Sequence, residues 1–213
     1  MIYAEEASKR LEERVAESRD FTLSLDRIYV RNADTYLDVS RTMDNNGSVL
    51  ITERPGTQDL AEQIANIGSP HTINLIDVGV FEGGTLKVVC DLLQRQGNVI
   101  NAVTVAVLNS NSEDKLRKSL GSDVKIDAVQ EYNLSEWIEL RDFFGIDGRK
   151  VVGKQGCFVP YWENLSEWAS IPGERVENTR KLCQNFNKRL LELLDSQGYN
   201  ISRIGKPIPK FWR

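Results

Sequence analysis

The sequence predicts an α/β protein with a parallel β-sheet flanked by helices and helical additions at both ends. Three observations carry this. Strand-like and helix-like stretches alternate from Ser48 to Val129, the pattern of βαβ units. Val99 to Leu108 is almost continuously apolar, as a strand is when both its faces are covered. The stretch INLIDVGVFEGGTL, from Ile73 to Leu86, runs from an apolar strand through an acidic residue and paired glycines toward a helix.

In order along the chain, Ala4–Ser18 repeats Ala7, Leu11 and Val15 on one helical stripe. Thr22–Arg31 alternates as a strand or extended edge. Asp34 is expected to cap a short helix reaching Met43, and Asp44-Asn45-Asn46-Gly47 marks a turn. Ser48–Thr52 reads as a strand and Thr57–Ile67 as a helix with Leu60, Ile64 and Ile67 on one face. There follow a strand at Thr72–Val78, a helix at Gly84–Gln96, the apolar strand, a helix at Glu113–Leu120 and a strand at Val124–Val129. A sheet of four or five strands results. Ser135 can cap a helix over Glu136–Phe144, and Lys150–Val159 is expected as a strand. The longest helix runs from Glu174 to Ser196, with Val176, Leu182, Phe186, Leu190, Leu193 and Leu194 as its apolar stripe and Gly198 as its stop. The organisation expected is an N-terminal helix (1–20), an α/β domain (20–160) and a helical extension with a basic tail (161–213).

Bulk properties exclude several classes. The 213 residues carry a net charge of −4, which does not favour general nucleic-acid binding. No apolar run approaches a membrane span. The opening MIYAEEASKRLEERV is charged and lacks the apolar core of a secretory signal, so a cytoplasmic location is expected. Cys90, Cys157 and Cys183 are widely spaced and His71 is the sole histidine, so no protein-held metal centre and no disulfide is expected. Charge is uneven: from Pro172 to Arg213 there are nine Lys/Arg against four Asp/Glu. A basic end on an acidic body marks a surface for a local partner. The tail mixes Lys206, Lys210 and Arg213 with Phe211 and Trp212, which suits a nucleic-acid backbone or a partner subunit.

The Ile73–Leu86 stretch has the chemistry of an anion site. Amides of Gly83, Gly84 and Thr85 at a helix N-terminus favour a phosphate. Asp77 is placed to accept from sugar hydroxyls. The residues LIDVGVFEGGTL resemble the phosphoribosyl-pyrophosphate loop of type I phosphoribosyltransferases: apolar strand, two acidic residues, a short stretch, then Thr-Gly-Gly-Thr. The following KVVCDLLQRQGNVINAVTVAVL is similar in length and pattern to that family's next helix and strand. Upstream, SVLITERPGTQDLAEQIA resembles its strand, pyrophosphate loop and helix; downstream, RKVVGKQGCFVPYWENL distantly resembles its base-binding segment. The resemblance covers roughly residues 48–130. It implies Asp77 on the ribose, Gly83, Gly84 and Thr85 on the 5′-phosphate, and Arg54, Pro55, Gly56 and Thr57 on pyrophosphate. It further implies Lys150 and Val152 on a base, magnesium as cofactor and nucleotide metabolism as the setting. It also covers chains in bacterial multi-gene systems, antiviral ones among them, that act as effectors or assembly partners in a complex or oligomer.

Two residues depart from the family pattern. Val78 replaces the second acid, and Glu82 replaces the first threonine of the phosphate cradle. A carboxylate ~4 Å from a phosphate costs about 4 kcal/mol at an effective dielectric of 20, enough to offset hydrogen bonds of roughly 1.5–3 kcal/mol each. Glu82 therefore counts among the reacting positions with Asp77: it turns away, or the ligand differs, or transfer is lost. IDVGVFEGGTL is also similar to the S-adenosylmethionine loop of class I methyltransferases, for which Asn109, at the end of the next strand, is a poor ribose-holding residue. The plain alternative is a strand-to-helix turn with no ligand. His71 and Cys90 read as structural, Cys90 through its place with Leu86, Val89 and Leu93. Tyr161, Trp162 and Trp168 read as a packed aromatic face or a base-stacking or partner surface.

Overall fold

The computed structural model describes residues 4–43, 48–54, 57–134, 149–150, 158–159 and 171–199. The chain forms two compact units, Met1–Ser40 with Ile51–Leu134, and Arg41–Leu50 with Ser135–Arg213.

The first unit is built on α1 (Ala4–Glu17), β1 (Phe21–Ser24), β2 (Thr35–Tyr36), α2 (Leu60–Ile67), β5 (Thr72–Val80), α3 (Gly84–Arg95), β6 (Val99–Asn109), α4 (Glu113–Leu120) and β7 (Lys125–Tyr132). Between β2 and α2 the chain makes β3 (Val39–Met43) and β4 (Val49–Glu53), which pair with each other. The main sheet has five strands in the order β2-β1-β5-β6-β7, and every described pair is parallel. The expected α/β class and parallel sheet are thus present.

The packing follows from the apolar pattern. Ala7, Leu11 and Val15 are the buried stripe of α1. Leu86, Val89, Cys90 and Leu93 are the buried stripe of α3. β6 is buried from Ala102 to Asn109 because it is an inner strand with helices packed against it. Leu75, Ile76, Val103 and Val105 are fully buried, each burial contributing about 1.5–3 kcal/mol. A buried polar pair joins β5 to β6, the Thr104 hydroxyl donating to Asn74 Oδ1 at 2.9 Å.

Three expectations are corrected. Asp34 caps no helix: its carboxylate accepts from Thr22 N (2.8 Å) and Oγ1 (2.7 Å), and the chain continues into β2 and β3. Pairing with β1 outweighs the local capping signal. β4 belongs to the β3–β4 pair and not to the main sheet, so β1, not β4, lies beside β5. Lys150–Val159 is not one strand. Its described ends, β8 (Arg149–Lys150) and β9 (Phe158–Val159), pair antiparallel, Arg149 with Val159 and Lys150 with Phe158.

The second unit also holds α5 (Gly173–Ser196). Its stripe is redrawn. Cys183 and Asn187 are the buried positions, with Val176, Leu190 and Leu194 half-buried beside them. Leu182, Phe186 and Leu193 are exposed; at about 100° per residue they lie a quarter-turn away from Cys183. Gly198 does follow the helix end, with φ +81° and its amide on Asp195 O. Among the described residues no helix is long and apolar enough to cross a membrane. The Glu136–Phe144 helix, Cys157, the Tyr161–Trp168 aromatics and the 200–213 tail lie outside the described residues.

Candidate functional site

The strand order fixes the topological switch point of the sheet. From β1 the chain turns outward to β2, and from β5 it runs the other way through β6 to β7. The crevice between the carboxyl ends of β1 and β5 is therefore the topological switch point, where open parallel sheets place ligands. Ser24 pairs with Ile76 in register, and Leu25 N continues the ladder to Ile76 O at 2.8 Å. Asp77 comes next on β5.

The loop after β5 is organised by Gly83. It sits at φ +78°, the left-handed region, at the N-cap of α3. A Cβ there would lie 2.6 Å from Leu116 Cδ1, a side chain of α4 that is itself buried. Both conformation and close packing require glycine. Gly84 differs, for nothing lies within 4 Å of a Cβ built on it. The first helical bond runs from Lys87 N to Gly83 O at 3.0 Å. It leaves the amides of Gly84, Thr85 and Leu86 outside the ladder. Glycine offers no capping side chain, and among the described residues no other side chain takes these amides.

Among the described residues Glu82 accepts from none of them. Its side chain is 65% exposed and its carboxylate lies 3.9 Å from Lys115 Nζ on α4. Solvent at that exposure brings its repulsion of an anion toward the bulk-water value, about 1 kcal/mol at 4 Å. Asp77 is half-buried, with Oδ1 accepting from Val78 N at 2.8 Å. Thr85 is half-buried at the first turn of α3.

Arg54 reaches the same end of the sheet. Its Nη2 donates to Leu25 O at 3.3 Å, and its amide donates to Asp38 O at 2.8 Å. Thr57 closes a turn on it, its Oγ1 donating to Arg54 O at 2.7 Å. Pro55 and Gly56 lie outside the described residues, as does Val152. Lys150 lies in β8 of the second unit. The structure thus gathers Asp77, Glu82, Gly83, Gly84, Thr85 and Arg54 at the carboxyl ends of β1, β5 and the β4 exit.

Four residues at this edge carry no signal in the sequence. Asp26 Oδ1 accepts from Ile28 N (2.7 Å) and Tyr29 N (2.6 Å), locking the turn after β1. Arg27 forks onto Asp38, Nε to Oδ1 at 3.0 Å and Nη2 to Oδ2 at 2.9 Å, and lies 4.4 Å above the Tyr36 ring. The Asp38 hydrogen bond raises the Arg27 pKa above its ordinary value. Gln63 on α2 is buried, its Oε1 accepting from Asp38 N at 2.8 Å and its Nε2 donating to Gln58 O at 2.6 Å. Arg27, Tyr36, Asp38, Thr57, Gln63 and Asn66 border an open pocket of about 180 Å³ beside β2. That is below the usual ligand range of about 300–1,000 Å³, and the pocket contains neither Asp77 nor the Gly83–Thr85 loop.

His71 and Cys90 are structural. The His71 ring stacks on Phe21 with centroids 4.3 Å apart, and Nε2 bonds Ile67 O at 3.1 Å. Burial pushes the Cys90 thiol up to about 12, with the Asp91 charge adding to it, so it carries no thiolate near neutral pH. Asn109 is buried, and its Oδ1 accepts from Asn111 N (3.3 Å) and Leu134 N (3.1 Å). Among the described residues no group of three His, Cys, Asp or Glu could hold a metal ion.

Against known proteins, no family model matches the chain, and no curated protein matches it. Among solved structures it is similar to the APRTase from Giardia lamblia complexed with 9-deazaadenine, at 15% identity over 61% of this chain and 79% of that one, with a TM-score of 0.41. It is similar to the adenine phosphoribosyltransferase of Rhodothermus marinus at 14% identity over 59% and 77%, TM-score 0.38. That of Thermoanaerobacter pseudethanolicus gives 12% over 59% and 78%, TM-score 0.39.

Proposed function

We propose that the first unit binds a phosphorylated sugar of the phosphoribosyl pyrophosphate class in the crevice between β1 and β5. One observation carries this reading: at the switch point, a left-handed Gly83 opens α3 with three amides outside the helical ladder, while Glu82 is turned to Lys115. The 5′-phosphate takes the Gly83, Gly84 and Thr85 amides, the last two of them among the three outside the ladder, where the helix dipole favours negative charge. Asp77 accepts from the ribose hydroxyls. Arg54, Pro55, Gly56 and Thr57 are the proposed pyrophosphate contacts.

If transfer occurs, an acceptor attacks the anomeric carbon as the bond to pyrophosphate breaks. The chain's part is to hold the two ends of the donor and to offset charge on the leaving group through Arg54. Magnesium would supply further neutralisation of that pyrophosphate. The single carboxylate, with Val78 beside it, favours the second form of the proposal: a phosphoribosyltransferase-like regulatory or effector subunit, of the kind found in bacterial and antiviral complexes, that binds the ligand without turning it over. The methyltransferase alternative fares worse, because Asn109 Oδ1 is already spent on two backbone amides.

Calorimetric titration of phosphoribosyl pyrophosphate with magnesium tests the site. Binding is expected to fall roughly 10- to 100-fold in Asp77→Ala, the loss of a hydrogen bond to a charged group. It should strengthen by up to about fivefold in Glu82→Thr, the relief of an exposed like charge. No heat at millimolar ligand in the parent chain, with S-adenosylmethionine bound instead, would replace this reading with the methyltransferase.

A further inference from the structure

The two edges of the main sheet are unequal. β2 ends one side with two residues, Thr35 and Tyr36, beside the Arg27–Asp38 fork. β7 ends the other side with eight, Lys125–Tyr132, without glycine or proline, and among the described residues it pairs with β6 alone. A long edge strand is a template for another strand, and chains that stay monomeric shorten, kink or cover it.

The side chains of β7 say what the partner is. Lys125, Asp127, Val129 and Glu131 alternate onto one face, Ile126, Ala128, Gln130 and Tyr132 onto the other. Ile126 and Ala128 pack on the core. Asp127 is held by Arg14 of α1 at 2.6 Å. Lys125 and Glu131 are exposed, three residues either side of Ala128. This sequence complements itself when reversed. If two copies run antiparallel with Ala128 opposite Ala128, each Lys125 faces the other's Glu131, twice. Sliding by one two-residue step one way sets Asp127 against Asp127. Sliding the other way sets Asp127 against Glu131. Like charges directly opposite are destabilising, so both neighbouring registers are disfavoured.

We infer that β7 is a self-association edge: two copies pair through it about a two-fold axis at Ala128, joining two five-stranded sheets into one of ten strands. The occupant is a second copy of this chain because the charge pattern is its own complement, and the inference does not depend on the ligand proposed above. A two-fold isologous contact of this kind closes and does not propagate.

Sedimentation equilibrium of the full chain over a concentration series tests it. The parent should show a monomer–dimer equilibrium. Lys125→Glu alone and Glu131→Lys alone each place like charges opposite at two points, and each should weaken dimerisation roughly tenfold or more. The double variant Lys125→Glu/Glu131→Lys re-forms both pairs with reversed sign and should dimerise as the parent does. Both side chains are exposed, and circular dichroism checks that each variant stays folded. A parent that is monomeric throughout, singles that dimerise as the parent does, or a double variant that does not recover would each overturn the inference.

Discussion

The two ends of β5 are built on opposite principles. At its amino end, polar groups are used up by one another. His71 stacks on Phe21, its Nε2 meets Ile67 O, its amide donates to Asn98 Oδ1, and Asn98 Nδ2 donates in turn to Gly68 O. At the carboxyl end, amides of α3 stay outside the helical ladder and Glu82 pairs only loosely with Lys115 across solvent. The first arrangement spends its polar groups on stability; the second leaves amides unspent beside the crevice where the ligand is proposed. A sheet that binds at its carboxyl edge can fasten its other edge without loss.

Substitutions at the paired glycines sharpen this contrast within the carboxyl end. Gly83→Ala combines a left-handed backbone with a 2.6 Å approach to buried Leu116. The expected destabilisation is about 2–4 kcal/mol, read from urea unfolding midpoints. Gly84→Ala meets open space at the first helical position and should stabilise the fold by roughly 0.5 kcal/mol. The same methyl stands where a phosphate would approach, so ligand affinity should fall as stability rises. Gly84→Ala that left affinity unchanged would sever the fold from the site.

The reverse pattern is expected at the amino end. His71→Ala removes a ring stack and a hydrogen bond, a loss of about 1–2 kcal/mol, again read from unfolding midpoints. Affinity for a phosphorylated sugar should not move, because the ring lies at the opposite end of the strand. A His71→Ala variant with full stability and impaired binding would break the comparison outright.

What the sequence revealed follows the same division between local and assembled features. Val99–Leu108 announces an inner strand because burial on both faces leaves a continuous apolar run. The Asp77–Thr85 loop is legible because its parts are contiguous and Gly83 stands where backbone and packing both require glycine. The Arg27–Asp38 fork is not, since it exists only through the parallel register of Ser24 with Tyr36. Gln63 is hidden for a similar reason: on a helical pattern it is an ordinary polar position, and only the course of the chain after β2 gives it Asp38 N as partner. Asp34 misleads because its capping chemistry is real but is spent on Thr22 of another strand. In α5 the apolar residues are plain to see, while the quarter-turn between its buried and exposed faces is set by packing that no pattern specifies.

The smallest effect expected is one of pH, and it lies on the first unit's framework. Hydrogen bonds from Thr22 N and then Thr22 Oγ1 to the Asp34 carboxylate hold its pKa below the ordinary value. A carboxylate with a depressed folded pKa binds protons more readily when unfolded. Its stabilisation is therefore complete above the unfolded pKa, about 3.9, and is lost as pH falls through the lower folded value. Asp34 is exposed, so solvent screens the effect and the contribution is modest. Asp34→Asn should leave the unfolding midpoint near neutral pH only slightly lower and flatten the acid limb below about pH 4. An acid limb as steep in Asp34→Asn as in the parent would show that other carboxylates, and not this link from β1 to the start of β2, govern acid unfolding of the sheet.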